Sequence, residues 1–194
     1  MGNLVVCASG SGSNFQAICD TLESTEHRVV GLLCDVPDAY VLTRAERTGV
    51  PSVLVSYGEG KKQAETRMMR AINEWQPHLI ALAGFMRILS AAFVDAYHGR
   101  IINIHPSLLP KYPGLHAIER SHEAGECEVG ITIHRVDHGV DTGEIIVQKS
   151  LARGQSETVA ELEARIHQLE HETYPEVVIS LLAKLDRSTQ GVAS

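Results

Sequence analysis

The sequence predicts an α/β fold with a mostly parallel sheet, because short apolar runs alternate with amphipathic helical segments through the first two thirds of its 194 residues. These runs are almost continuously apolar, as expected for parallel strands covered on both faces. Near residue 130 the alternation gives way to two longer runs joined by a polar turn. The expected architecture is therefore a Rossmann-like, mostly parallel sheet flanked by helices, with antiparallel strands toward the C-terminus.

The parallel strands are predicted from the short apolar runs. They cover residues 4–8, 29–34, 53–55, 79–83 and 101–104. The intervening helices are predicted where apolar residues recur at helical spacing, over residues 15–22, 39–48, 61–75 and 91–97. Gly49 and Pro77 mark the ends of the second and third helices, since neither residue continues a helix readily.

The C-terminal third is predicted to contain an antiparallel strand pair and one long helix. These elements cover residues 130–136, 144–148 and 158–185. Pro175 lies inside the long helix, and its missing N–H predicts a kink or an interruption there. We expect residues 1–187 to form a single domain and residues 188–194 to form a polar C-terminal tail.

The composition is that of an ordinary globular protein, with 44% hydrophobic and 21% charged residues. A formal net charge of −7 argues against nucleic-acid or membrane-surface binding by the chain as a whole. No apolar run approaches the roughly 20 residues of a membrane span, and the N-terminus lacks the pattern of a signal peptide. Cys7 and Cys34 lie in apolar runs and are expected to be buried, reduced thiols, so we expect a cytoplasmic protein.

The most informative segment covers residues 101–116, where an apolar strand ends in polar side chains and a proline-rich loop. Asn103 and His105 are two residues apart, so on a strand they face the same side of the sheet. An amide donor beside an imidazole suits acyl transfer, in which one group holds a developing oxyanion and the other moves a proton. The segment therefore predicts a catalytic site at the carboxyl end of this strand.

The loop at residues 9–14, Ser-Gly-Ser-Gly-Ser-Asn, joins the first strand to the first helix. Its glycines allow a close backbone approach, and the free N–H groups of the following helix suit an anion such as phosphate. The spacing is neither a dinucleotide-binding fingerprint, because Phe15 stands where the third glycine belongs, nor a Walker loop. The alternative is a tight turn in which Ser13 or Asn14 caps the helix.

Two further loop features have a functional and a structural interpretation. Asp35 follows the second strand, where a dinucleotide-dependent dehydrogenase holds the ribose, but the broken glycine pattern favours a turn aspartate exposed to solvent. The loop at residues 84–90 could border a flat ligand. Considered alone, it is better explained by Phe85 and Ile88 packing in the core and Ser90 capping the next helix.

Several histidines and an aspartate could in principle form a zinc site: His105, His116, His134, His138 and Asp141. Their spacing places no typical zinc-ligand pair on one helix or strand, so no metal is expected. Asp141 fits a simple turn residue, or it faces His105 and raises the pKa of that imidazole. Glu170 lies on the long helix, where a solvated face is the default expectation.

Together these motifs resemble those of the phosphoribosylglycinamide formyltransferase family over residues 4–185, nearly the whole chain. Each matching segment alone is modest, but the order and spacing of the segments are highly specific. They are residues 10–14, 83–89, 103–110 and 112–116, with His134 and residues 141–143. The resemblance implies a formyltransferase fold and the transfer of a formyl group from 10-formyltetrahydrofolate to the amine of glycinamide ribonucleotide in purine biosynthesis.

The resemblance also implies a role for each site residue. Asn103, His105 and Asp141 would be catalytic, with His116 and His134 assisting. The ribonucleotide-binding residues would be Gly12, Ser13, Asn14 and Glu170. The folate-binding residues would be Lys61, Met86, Arg87, Ile88, Leu89, Asn103, Val136, Asp137, His138, Val140 and Asp141. No metal is implied, and the expected partners are the two small-molecule substrates, not nucleic acid or a membrane, in a monomer or homodimer.

The implied mechanism is direct attack of the substrate amine on the formyl carbon. Asn103 and protonated His105 would stabilise the oxyanion, and Asp141 would keep His105 protonated and relay a proton through water. Three departures from the family pattern concern affinity and edge structure more than chemistry. Lys61 stands where an arginine often meets the folate tail, Asp35 follows a cysteine where Ser-Asn is more usual, and the C-terminus is short.

The sequence leaves several alternative functions open. Within the same superfamily they are a formyltetrahydrofolate hydrolase and a formyltransferase acting on another amine. The hydrolase usually carries an N-terminal regulatory domain and the transfer-RNA formyltransferase a large C-terminal domain, neither of which the sequence contains, so both are disfavoured. A nucleotide-dependent dehydrogenase is disfavoured by the broken glycine pattern, and a non-catalytic folate-binding module by the presence of Asn103, His105 and Asp141.

Overall fold

A computed structural model describes residues 1–190 as a seven-stranded sheet with helices on both faces. The strands are β1 (Asn3–Ala8), β2 (Arg28–Cys34), β3 (Ser52–Leu54), β4 (Leu79–Leu82), β5 (Ile101–His105), β6 (Glu128–Arg135) and β7 (Ile145–Ala152). The helices are α1 (Ser13–Leu22), α2 (Tyr40–Thr48), α3 (Lys61–Trp75), α4 (Ala91–Ala96), α5 (Ala117–Glu123) and α6 (Val159–Gln190).

The strand order across the sheet is β3-β2-β1-β4-β5-β6-β7. Strands β1 to β5 are parallel, whereas β6 is antiparallel to β5 and β7 is antiparallel to β6. The predicted mostly parallel sheet with C-terminal antiparallel strands is therefore confirmed. The chain winds outward in opposite directions from β1 and β4, which lie side by side, so the loops that follow them diverge and leave a crevice at their carboxyl ends.

The core consists of two apolar layers, one on each face of the sheet. Alternate residues of β1 point into different layers, as strand geometry requires. Leu4 and Val6 pack in the layer that contains α1 and α6, whereas Val5 and Cys7 pack in the layer that contains α3 and α4. Cys7 and Cys34 are fully buried free thiols, as predicted.

The structure differs from the predicted elements mainly after residue 110. Helix α5 was not predicted, because it is only seven residues long and its first turn lacks a side-chain cap. Pro175 does not interrupt α6, which is helical through it to Gln190. The predicted tail therefore begins inside this helix, and residues 191–194 lie outside the described residues. Within residues 1–190, no helix combines the length and apolar character needed to cross a bilayer.

Candidate active site

A cleft of about 620 Å³ opens at the carboxyl ends of β1, β4 and β5, where ligands bind in open parallel sheets. One wall is the glycine-rich loop after β1, and the opposite wall combines the β5 end with the turn between β6 and β7. The lining residues are 10–14, 82–89, 103–106, 114–119, His134, Val136, Asp137, 139–141, His167 and Glu170.

Strand pairing brings three of the predicted site residues together. Asn103 of β5 lies opposite His134 of β6 in the antiparallel ladder, and their Nδ2 and Nε2 atoms are 3.2 Å apart. Asp141 reaches them from the β6–β7 turn, with its Oδ1 atom accepting a hydrogen bond from Asn103 Nδ2 at 3.3 Å. His134 Nε2 lies 3.4 Å from the same oxygen. The three side chains therefore form one connected polar group at the strand end.

His105 lies on the same face of β5, as its two-residue spacing from Asn103 predicts. Its Nδ1 atom is 3.3 Å from Asp141 Oδ2, and its Nε2 atom is 2.8 Å from the carbonyl oxygen of Tyr112. Both ring nitrogens thus face oxygen acceptors, and only a doubly protonated ring can donate to both. The protonated form of His105 has its two partners already in place.

The pKa values of this pair are set by opposing effects. Burial alone would raise the pKa of Asp141, but hydrogen bonds from His134 and the Gly114 N–H, with the charges of His105 and His134, lower it to about 2. Asp141 is therefore a carboxylate at any physiological pH. Its Oδ2 atom accepts the Gly114 N–H at 2.8 Å, which ties the turn to the proline-rich loop.

The pKa of His105 differs from the expectation drawn from the sequence. Asp141 and the Tyr112 carbonyl do raise it, but burial has the larger, opposite effect and leaves the pKa below the ordinary value of 6.5. Asp141 does face His105 and acts to raise its pKa, but the net lowering favours the neutral ring over the expected protonated one. The ring is mostly neutral near pH 7, yet it is surrounded by groups that stabilise a proton gained during turnover.

The loop after His105 is held in place by Thr132 on the neighbouring strand. Thr132 is fully buried, donates its hydroxyl proton to the Ser107 carbonyl at 2.6 Å and accepts the Leu109 N–H at 3.1 Å. Because this loop also carries the Tyr112 carbonyl and the Gly114 N–H, its backbone fixes both His105 and Asp141. The predicted stiffness of the segment therefore acts directly on the site.

The glycine-rich loop leads into α1 as predicted, but the cap is different. Gly12 is the N-cap residue with a left-handed φ of 73°, and no side chain caps the helix, so the expected Ser13 or Asn14 cap is wrong. The uncapped N–H groups of the first turn are consequently free to face an anion. A side chain at Gly12 would collide with Val41, since an added Cβ would lie 2.4 Å from its Cγ2.

Glu170 is buried against this loop. The solvated position expected from its place on the long helix is therefore wrong. It accepts a hydrogen bond from Asn14 Nδ2 at 2.9 Å. Burial raises the pKa of Glu170, although Asn14 and the nearby His167 act in the opposite direction. His167, which also lines the cleft, was missed in the sequence because its only signal is a position one helical turn before Glu170.

The loop at residues 84–90 presents its apolar side chains to the cleft. Met86 and Ile88 are 61% and 64% exposed and both line it, so the interpretation of Ile88 as a core residue is wrong. Ser90 does cap α4, accepting the Phe93 N–H at 3.2 Å, as predicted.

Asp35 at the end of β2 is not the solvent-exposed turn residue that the sequence favoured. It is buried and bound by Ser9 and Arg87, which also leaves it no freedom to hold a ribose.

Some of the residues implied by the resemblance do not lie in the cleft wall. Lys61 is exposed at the start of α3 and is not among the lining residues. His138 points instead to Asp95 of α4, with its Nε2 atom 2.8 Å from the carboxylate. His116 does line the cleft but is largely exposed and pairs with Glu119 at 3.4 Å. The predicted Val136, Asp137 and Val140 positions all line the cleft.

The histidines do not assemble into a metal centre. Among residues 1–190, no group of three or more histidine, cysteine, aspartate or glutamate side chains is arranged to hold a metal ion. His105 and His134 instead share Asp141, His116 pairs with Glu119, and His138 faces Asp95.

An α/β protein with uncapped helix N–H groups at one end of a cleft and an amide, an imidazole and a carboxylate at the other is suited to group transfer between two small molecules. Comparison with known proteins agrees with this class. Residues 2–178 match the family described as formyl transferase. The chain belongs to the formyl transferase family.

Individual relatives are similar over almost the full chain. The phosphoribosylglycinamide formyltransferase of Bacillus subtilis is 43% identical over 196 residues, covering 98% of this chain and 100% of that protein. The protein of the same name from Escherichia coli is 38% identical over 91% of this chain and 85% of its own length. A crystal structure of glycinamide ribonucleotide transformylase 1 from Geobacillus kaustophilus superimposes with a TM-score of 0.90 and 45% identity, covering 94% and 99% of the two chains.

Proposed function

We propose that this protein transfers the formyl group of 10-formyltetrahydrofolate to the amine of glycinamide ribonucleotide, a step of purine biosynthesis. The names of its relatives, phosphoribosylglycinamide formyltransferases, support the ribonucleotide acceptor and the formyl group. The structural observation that carries the proposal is the convergence of Asn103, His105 and Asp141 on one end of the cleft. Those are the groups that direct transfer of a formyl group between two amines requires.

The first step is attack of the ribonucleotide amine on the formyl carbon. A new C–N bond forms, and the carbonyl π electrons move to oxygen, giving a tetrahedral intermediate with an oxyanion and a positively charged attacking nitrogen. Asn103, which is half-buried in the cleft wall, supplies an amide donor for the oxyanion. Its Nδ2 atom donates one N–H to Asp141 Oδ1, which orients the amide and leaves the second N–H for the oxyanion before charge develops.

The second step moves one proton and breaks the bond to folate. Neutral His105 accepts the proton of the attacking nitrogen, and the resulting imidazolium is stabilised by Asp141 and the Tyr112 carbonyl. The proton is then delivered to N10 of the folate as the C–N10 bond breaks and the carbonyl re-forms. The products are the formylated ribonucleotide and tetrahydrofolate, with no covalent enzyme intermediate.

The two substrates would occupy opposite ends of the cleft. The loop N–H groups at Gly12, Ser13 and Asn14 would hold the ribonucleotide phosphate, and Glu170 would contact its polar part. Within the described residues, Asn14 Oδ1 is buried without a hydrogen-bond partner, which fits an acceptor waiting for a substrate donor. The exposed apolar side chains of Met86, Ile88 and Val140 would form the wall for the flat pterin.

Lys61 and His138 lie outside the lining residues, so we assign them no contact with the pterin itself. Lys61 stands where the family often has an arginine that meets the folate tail. It therefore remains a candidate for contact with the exposed tail. We also propose a cytoplasmic enzyme that works as a monomer or homodimer. Light scattering of the purified protein would distinguish these two assemblies.

The experiment that tests the function is a spectrophotometric transfer assay with purified protein and both substrates. Omission of the ribonucleotide is the control. Turnover only when both substrates are present supports the proposal. Formate release without ribonucleotide would instead identify a hydrolase, and folate binding without either reaction would direct the search to another amine acceptor.

A further inference from the structure

Asp35 is a buried carboxylate at the end of β2 that the proposed reaction does not use. Its side chain is only 1% exposed, and each of its oxygens has a partner from a different loop. Oδ1 accepts the Ser9 hydroxyl proton at 2.5 Å, and Oδ2 accepts the Arg87 Nε–H at 2.6 Å. Because a buried charge is costly without partners, these two contacts hold both loops against β2.

Ser9 links Asp35 to the backbone of the loop at residues 84–90. Its hydroxyl oxygen accepts the Met86 N–H at 2.8 Å, and its own N–H donates to the Gly84 carbonyl at 3.0 Å. Ser9 is the first residue of the glycine-rich loop, so this loop and the loop at residues 84–90 are joined side by side. The hydroxyl fixes one backbone amide while Asp35 fixes the hydroxyl.

Arg87 links the same loop to Asp35 through its side chain. Its guanidinium lies over the Tyr57 ring, 4.6 Å from the ring centroid, and its Nε–H points at Asp35. Arg87 therefore anchors the loop through its Nε–H, and its partly exposed side chain lines the cleft beside its neighbours Met86 and Ile88. An anchor between two presented side chains fixes the orientation of both.

The far end of the same loop has a separate anchor. Glu65 of α3 is buried and accepts the Ser90 N–H at 2.7 Å and the Ser90 hydroxyl proton. Ser90 also caps α4, so this contact ties α3 to the start of α4. Loss of the Asp35 contacts would therefore leave the loop attached at Ser90 and the fold intact.

We propose that Asp35 is a positioning residue for the folate side of the cleft. It acts through Ser9 and Arg87, which hold residues 84–89 in the orientation that presents Met86 and Ile88 to the ligand. The inference rests on the proposed function, because that function identifies the ligand of this wall. Asp35 touches no reacting atom in this role.

Asp35→Asn tests the proposal with minimal change of shape. The amide oxygen can still accept the Ser9 proton, but the negative charge that holds Arg87 is gone. Glu59→Gln is the matched control, because Glu59, in the turn before α3, pairs with Arg67 of α3 at 2.7 Å and both side chains are exposed. Both substitutions convert a carboxylate with an arginine partner into an amide.

Two readouts are needed. In the free proteins, amide hydrogen exchange of residues 84–89 should be about tenfold faster in Asp35→Asn and unchanged in Glu59→Gln. In the transfer assay, the KM for 10-formyltetrahydrofolate should rise about tenfold, while kcat and the KM for glycinamide ribonucleotide stay within about twofold. Arg87→Gln should accelerate the exchange of residues 84–89 by the same factor, and the double variant should add nothing further to it.

Unchanged exchange in Asp35→Asn, or an equal rise in both KM values, would overturn the proposal. If Asp35→Asn loses its cooperative thermal transition, Arg87→Gln removes the same ion pair and decides the question. Failure of the proposed function would be seen separately, as wild-type protein without turnover. In that case the exchange rates, with the affinity of each free protein for 5,8-dideazafolate, still decide whether Asp35 positions this wall.

Discussion

Asp141 Oδ2 lies 3.3 Å from His105 Nδ1 and, at 2.8 Å, accepts the N–H of Gly114. Asp141 adopts this position with a φ of 55°, in the left-handed region that a non-glycine side chain rarely occupies. Strained backbone of this kind persists where surrounding contacts hold it, and it concentrates at functional sites. The contacts here come from His105, His134, Asn103 and Gly114, so the strain places one carboxylate at the centre of the proposed catalytic group.

Replacement of this carboxylate should affect turnover more than folding. In Asp141→Asn the shape is kept, but the charge that stabilises the His105 imidazolium is lost. We expect kcat to fall by at least about 100-fold, the usual size of a general acid–base contribution. Steady-state assays and a thermal melt of the same preparation would measure both effects.

Asp95→Asn is the matched control for this variant, because Asp95 also pairs with a histidine, His138, at 2.8 Å. That pair is exposed on α4 and outside the cleft wall. The control should keep wild-type kcat. Loss of a cooperative melt in Asp141→Asn alone would show that Asp141 is structural and contradict its catalytic assignment.

Asp141 should also contribute to acid stability. Its pKa is lowered from the ordinary 3.8 to about 2 in the folded protein, so the contribution is complete above 3.8 and is lost as the pH falls toward 2. After allowance for its partial solvent access, we expect about 1–2 kcal/mol. Urea titrations of wild type and Asp141→Asn should therefore converge as the pH falls through this window. A constant difference in unfolding free energy would contradict the lowered pKa.

The protonation of His105 can be measured directly. Because burial outweighs its acceptors, the pKa lies below 6.5 in the folded protein. The folded state thus binds this proton less readily than the unfolded state, and stability is lost as the pH falls from 6.5 toward the lowered pKa. An NMR titration of the ring resonances, assigned with His105→Asn, should show a midpoint below 6.5. In Asp141→Asn the midpoint should fall further, since the raising effect of the carboxylate is gone; a rise would contradict this account.

The sequence was sufficient for the fold and for the grouping of polar side chains at the strand end, because both depend on local patterns. Asn103 and His105 share a face by strand periodicity, and the cleft follows from the strand–helix alternation. The environments of Asp35 and Glu170 were not predictable in this way. Each is an acidic residue whose burial depends on partners from distant segments, Ser9 and Arg87 for one and Asn14 for the other. Local sequence favours solvent for both residues, and tertiary contacts reverse that preference.

The pKa of His105 is a second property that the sequence could not predict. The sequence suggests that a facing carboxylate would raise the pKa, and it identifies the carboxylate correctly. It contains no measure of burial, which is the larger effect. The Tyr112 carbonyl was also missed, because a backbone acceptor placed by a left-handed residue leaves no signal in the side-chain pattern. Helix α5 was missed because nothing at its first residue marks a helix start.

The glycine-rich loop offers a comparison between two neighbouring glycines. Gly12 has a φ of 73°, and a Cβ there would lie 2.4 Å from Val41 Cγ2, whereas a Cβ at Gly10 would meet nothing within 4 Å. Gly12→Ala should therefore lower the free energy of unfolding by about 1–3 kcal/mol, through backbone strain and overpacking. It should also raise the KM for glycinamide ribonucleotide, because the displaced loop carries the N–H groups proposed to hold the phosphate. Gly10→Ala should change neither quantity appreciably. Equal effects of the two substitutions on unfolding and on KM would show that the left-handed turn at Gly12 does not shape the anion site.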